Sequence, residues 1–145
     1  MKIAIGSDHA GFQLKEILRS YLQSKGFIVE DKGTYSEERA DYPDFAHAVA
    51  VSVEKKENDF GMLICGSGIG VNITANKHKG IRAALCWNEE IAALSRQHND
   101  ANVLCLPARF MSDELAKKCT DAFLTASFEG GRHADRVKKI TEGCN

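Results

Sequence analysis

The chain has 145 residues, of which 43% are hydrophobic and 27% charged, with 19 basic against 20 acidic side chains and a formal net charge of -1. That length fits one domain, residues 1–145, able to bury a core without a disulfide or metal staple. The balanced charge argues against nucleic-acid and membrane-surface proteins, which carry a one-signed excess, and no run approaches the roughly 20 apolar residues of a membrane span.

The opening "MKIAIGSDHAGF" holds a short apolar run broken at once by Gly-Ser-Asp-His. A signal peptide needs a longer apolar core, so the expected location is cytoplasmic. The five cysteines, Cys65, Cys86, Cys105, Cys119 and Cys144, are odd in number and lack any C-x-x-C spacing. They point to neither a disulfide framework nor a zinc knuckle. Small buried hydrophobes in a reducing compartment are the simpler reading.

In chain order, "KIAIG" (2–6) reads as a strand. Leu14, Ile17, Leu18, Tyr21 and Leu22 then recur at three- and four-residue steps, one face of a helix, with Gly26 as its C-terminal stop. "FIVED" (27–31) is a second strand, and "KGTYSEERADYPD" a polar loop before a helix carrying Phe45, Val49 and Val53. "FGMLICG" (60–66) is the strongest strand and runs straight into "GSGIG". A helix over about 69–77, the strand "IRAALC" (81–86), a helix over 89–96 and the strand "NVLCL" (102–106) follow. Ser112 is a good N-cap for a helix reaching about residue 124, and a short basic helix is expected from about residue 131.

Strand and helix alternating five times predicts an α/β, Rossmann-like three-layer sandwich: a five-stranded parallel sheet with helices on both faces. The continuous apolar strands suit a sheet buried on both sides. Ligands in such folds bind at the carboxyl ends of the strands. That rule collects "GSDH", "CGSGIG", "WNEE" and "PARF" at one edge.

"GSGIG" is neither the G-x-G-x-x-G dinucleotide fingerprint nor a P-loop. Gly66, Ser67, Gly68, Ile69 and Gly70 offer a run of backbone N–H groups opening into a helix, which suits an anion. Cys65 is either core filler or a strand-tip thiol whose pKa a neighbouring helix N-terminus lowers, fit to act as a base. Asp8 reads as a helix N-cap that could also touch ligand, and His9 sits in a polar turn. His98 and Asn99 lie at a helix end that leads away from the strand tips, where a histidine usually just complements the dipole. Arg109 follows strand five. Arg132 and Arg136 are four apart on one helical face, able to share a phosphate or simply to be solvated.

"GSDHAGFQLK", "DYPDFA", "ICGSGIGVNITANKHKGIRAA", "SRQHNDANVL" and "GGRHADRVKKI" together resemble the ribose-5-phosphate isomerase B family, which includes galactose-6-phosphate isomerase subunits. The resemblance spans essentially the whole chain in order. It implies a metal-free, coenzyme-free aldose–ketose isomerase interconverting ribose 5-phosphate and ribulose 5-phosphate through an enediolate. In that family the base is a cysteine before the glycine loop or a glutamate after it. Cys65 holds the first position and Val71 the second, so this chain resembles the cysteine type. The resemblance further implies ring opening by His98, substrate binding by Asn99, Asp8, His9 and residues 66–70, and phosphate binding by Arg109, Arg132 and Arg136. It implies a homodimer with sites at the interface, with a tetramer as the larger alternative. An isomerase of a six-carbon sugar phosphate, and a non-catalytic sugar-phosphate sensor, are the competing expectations.

Overall fold

The computed structural model describes residues 1–143, so Cys144 lies outside the described residues. The strands are β1 (Lys2–Ser7), β2 (Ile28–Asp31), β3 (Phe60–Cys65), β4 (Ala83–Leu85) and β5 (Val103–Pro107). The helices are α1 (Phe12–Ser24), α2 (Tyr42–Glu54), α3 (Ile69–Ala75), α4 (Glu89–Asn99), α5 (Asp113–Thr125) and α6 (Arg132–Glu142). All strands run parallel in the order β2-β1-β3-β5-β4, as the alternating pattern predicts.

Helices cover both faces because each apolar strand offers a side chain to either side in turn. Leu14, Leu18 and Leu22 of α1 meet Ala92 of α4 and Phe123 of α5 over Ile3, Ile5, Met62 and Ile64. On the other face Val49 and Val53 of α2 and Val71 of α3 pack on Ala4, Leu63 and Cys105. Gly61 lets α2 approach closely, since a Cβ there would stand 2.7 Å from Val49. Burial on both sides holds for β1, β3 and β5 only. β2 alternates between exposed and half-buried residues, and β4 is half-buried throughout, because both are edges of the sheet.

Local signals set most boundaries. Ser112 accepts a hydrogen bond from the Leu115 N–H at 3.1 Å, the expected cap of α5. Gly26, with φ +88°, turns the chain just past α1. Asp8 departs from expectation. Its Oδ1 accepts from the Gly11 N–H at 3.0 Å, so it closes the turn before α1, and Gly11 holds the helix cap position. Helix α3 stops at Ala75, two residues early, and α4 runs on to Asn99, which puts His98 and Asn99 in its last turn.

Lys15 is a fully buried lysine on the core side of α1. Its Nζ donates to Asp31 Oδ2 at 2.6 Å, and Asp31 Oδ1 accepts from the Gly33 N–H at 2.9 Å. Beyond β2 the chain stays tied to the tip of β1: Ser7 N–H donates to the Gly33 carbonyl and Thr34 N–H to the Ser7 carbonyl, both at 2.7 Å. The buried ion pair thus anchors the loop that follows β2. Removing Lys15 leaves the half-buried Asp31 carboxylate with little solvent and the Arg19 guanidinium at 3.9 Å. Lys15→Ala is expected to lower unfolding free energy by about 3 kcal/mol in urea denaturation, the low end for a broken buried pair because Asp31 keeps some solvent contact. A loss under about 1 kcal/mol would show that water compensates the pair.

Candidate active site

Because the strands are parallel, the tips of β1, β3 and β5 meet at one edge. Cys65 ends β3 and registers with Pro107 at the end of β5. Arg109 follows in a single 3-10 turn, and its backbone N–H donates to the Gly66 carbonyl at 3.0 Å. Gly66 leaves room for the Arg109 side chain: a Cβ there would stand 3.1 Å from Nη1. Gly68 adopts φ +72° and would drive a Cβ to 2.5 Å from Leu85. The loop needs glycine there for both conformation and space.

The Gly68 N–H donates to Cys65 Sγ at 3.2 Å, so the loop curls around the thiol. Ser67 Oγ accepts from the Ile69 N–H at 3.3 Å. Helix α3 has only seven residues. A helix this short offers little dipole, so any anion at this edge would meet chiefly the loop N–H groups and the Arg109 guanidinium.

Asp8, His9, Cys65, Gly66, Ser67, Ile69, Gly70 and Arg109 line one open cleft of about 670 Å³. The Ala40 N–H donates to His9 Nδ1 at 3.2 Å, so the anchored loop after β2 fixes that ring. Four further lining residues were not assigned to the site from sequence: Ala10, Tyr42, Ile73 and Phe110. Tyr42 lies on Gly70, whose Cβ position is 2.6 Å from the Tyr42 ring. Phe110 was adjacent to the strand-five tip, and Ile73 lies one helical turn after Ile69. Both isoleucines are exposed, a stripe readable in hindsight. Val71 does not face the cleft and is fully buried beneath α2.

His98, Asn99, Arg132 and Arg136 are not in this cleft. The Arg82 Nε, immediately before β4, donates to the Asn99 carbonyl at 3.1 Å. That places the end of α4 at the amino edge of the sheet, opposite the Cys65 edge. Strand β5 alone spans about 16 Å at ~3.3 Å per residue. His98 instead stacks on His133 of α6, with ring centroids 4.2 Å apart and planes within 8°. Arg132 and Arg136 are exposed on the same helix. Each chain therefore carries two half-sets of the expected site, at opposite ends of the sheet.

Nitrogen and oxygen atoms of His98, Glu129 and His133 lie within 4.8 Å of one another, the spacing of a metal ligand set. The rings argue otherwise. Two parallel imidazoles cannot both aim an in-plane lone pair at one ion.

Burial raises the pKa of three cysteine thiols. It pushes the Cys86 thiol up to about 12 and Cys119 up to about 11, and it raises Cys105 further still. Cys65 differs in lining an open cleft and in receiving a backbone N–H.

A thiol, a glycine loop of backbone donors and a cation at the carboxyl edge of a doubly wound sheet define a small-molecule enzyme of the α/β class. The sequence matches the ribose/galactose isomerase family over residues 3–140, and the chain belongs to that family and is an isomerase. Ribose-5-phosphate isomerase B of Escherichia coli is 53% identical over 140 residues, 97% of this chain and 94% of that relative. The solved ribose 5-phosphate isomerase of Thermotoga maritima is 55% identical with a TM-score of 0.96 over 97% of each chain. The Mycoplasma genitalium ribose-5-phosphate isomerase B with bound ribulose-5-phosphate is 51% identical, with a TM-score of 0.94 over 98% of this chain and 95% of that one.

Thiol alkylation provides a check. Brief iodoacetamide treatment at pH 8, followed by peptide mapping, is expected to modify Cys65 well before Cys86, Cys105 or Cys119. Earlier labelling of Cys119 would mean that the cleft does not expose a reactive sulfur.

Proposed function

We propose that this chain interconverts D-ribose 5-phosphate and D-ribulose 5-phosphate, with Cys65 as the base. The observation that carries this reading is the glycine loop wrapped around the Cys65 sulfur, with Gly68 donating to it at 3.2 Å. The names of the relatives and the ribulose-5-phosphate in one of them support the substrate.

The chemistry follows from the groups. The Cys65 thiolate takes the proton from C2 of the open aldose, and the C2–H electrons move to form a cis-enediolate. The O2 hydroxyl proton passes to O1 across the cis-enediolate, the carbonyl re-forms at C2, and the same sulfur returns the carbon-bound proton to C1. The N–H groups of residues 66–70 other than those held by Cys65 Sγ and Ser67 Oγ stabilise the oxygen charge as it develops, and one such donor typically contributes ~2.7–4 kcal/mol. Arg109 supplies fixed positive charge at the same edge. A glutamate base at position 71 is ruled out chemically by valine, and burial of Val71 beneath α2 agrees with that.

Ring opening precedes proton transfer, because the furanose has no carbonyl. It needs a separate acid–base group, and His98 is assigned that role, with Asn99 beside it and Arg132 and Arg136 on the phosphate. These residues stand at the far edge of their own chain's sheet, so they would serve a second copy. The reading is therefore a homodimer in which one protomer supplies Cys65, its loop, Asp8 and His9, and the partner supplies the histidine and arginine set. Exposed Ile69, Ile73 and Phe110 along the cleft, with Trp87 just beyond β4, give such a contact its apolar surface.

Cys65→Ala is expected to abolish isomerisation of ribose 5-phosphate, assayed without added metal, with a loss of at least about 10³-fold while substrate binding by calorimetry persists. Full activity in that variant would sink the assignment. A faster reaction on allose 6-phosphate or galactose 6-phosphate than on ribose 5-phosphate would overturn the substrate and leave the mechanism standing.

A further inference from the structure

The loop between α5 and α6 builds a support beneath His98. The Glu129 N–H donates to the Gln97 carbonyl at 3.0 Å, fastening the loop to the last turn of α4. Gly130 and Gly131 both take positive φ, +66° and +56°, and reverse the chain sharply. Helix α6 then begins at Arg132, and the His133 N–H donates to the Gly130 carbonyl at 3.0 Å. This brings the one buried side chain of α6, His133, flat against the His98 ring.

The two imidazoles differ in exposure and in surroundings. The His133 side chain is 9% exposed and that of His98 38%, so one ring is a floor and the other is open to approach. Glu129 Oε2 lies 3.8 Å from Nε2 of His98 and 3.6 Å from Nε2 of His133, so one carboxylate faces the same edge of both rings. Burial, then His98 and Arg132, hold His133 below the usual histidine range, against the opposing pull of Glu129. A neutral floor lets the ring above it accept a proton without facing a second cation.

We propose that His133 is a positioning residue for His98: its buried ring fixes the plane of the His98 imidazole, and the shared Glu129 carboxylate selects the edge that His98 presents. The inference rests on the reading that His98 opens the sugar ring. A free histidine at a helix end samples a broad, roughly two-fold second side-chain torsion, and a proton donor working on a ring oxygen needs one of those orientations. Stacking removes that freedom before substrate arrives.

The test separates ring opening from proton transfer. Ribulose 5-phosphate is an obligate open chain, because its O5 is phosphorylated and no hydroxyl is left to close a furanose. Solvent deuterium entering at its C1 therefore reports Cys65 chemistry alone, whereas turnover of ribose 5-phosphate reports both steps. His98→Asn, His133→Ala and His133→Phe are compared in both assays. The proposal expects His133→Ala to lose about 10- to 100-fold in kcat on ribose 5-phosphate while keeping deuterium exchange within about threefold, the pattern of His98→Asn in milder form. His133→Phe, which keeps a flat ring, is expected to recover most of the loss. If His98→Asn splits the two assays and His133→Ala does not, losing neither or losing both equally, the positioning role is overturned. If His98→Asn itself shows no split, the ring-opening assignment falls, and the proposal with it.

Discussion

Parallel strand direction is the constraint on which this molecule depends. Every strand must end at one edge of the sheet, and every connecting helix must return its carboxyl end to the other. Cys65, the glycine loop and Arg109 thus collect at one edge because they follow β3 and β5. By the same rule, residues in the last turn of α4 lie at the opposite edge, where Arg82 holds the Asn99 carbonyl. No side-chain rearrangement within one chain brings His98 to Cys65. A site using both would be a site between copies.

Within the cleft, economy of backbone does most of the positioning. Gly66 admits Arg109, Gly68 makes the left-handed turn that aims its N–H at the sulfur, and Gly70 admits the Tyr42 ring. The buried Lys15–Asp31 pair reaches the same place from the other side. It anchors the loop whose Ala40 N–H holds His9. An apolar core on each face and one buried charge pair thus converge on the geometry around one thiol.

The fold was legible in the sequence because its signals are local. The strand runs are short, the helix faces periodic, and the caps at Ser112 and Gly26 sit where pattern places them. An apolar run does not reveal its place in the sheet order, so the edge strands β2 and β4 read from sequence as though buried on both sides and are not. That Asp8, His9, Cys65, the glycine loop and Arg109 share one cleft was legible from strand-tip position. The rest was not, because it depends on contacts remote in sequence. Tyr42 reaches Gly70 from another helix, Lys15 is buried against a partner at the end of β2, and His133 meets His98 only after two glycines reverse the chain. The role proposed for His98 rests on family resemblance; its position in the chain alone argues the other way.

The central claim is that one protomer's Cys65 works with its partner's His98. Mixing two inactive variants, Cys65→Ala and His98→Asn, under conditions that exchange subunits tests it directly. In each mixed dimer one site would lose both groups and the other would regain both. Random exchange then predicts recovery to about a quarter of the native activity. Activity that stays at the sum of the two parents after demonstrated subunit exchange would contradict the account.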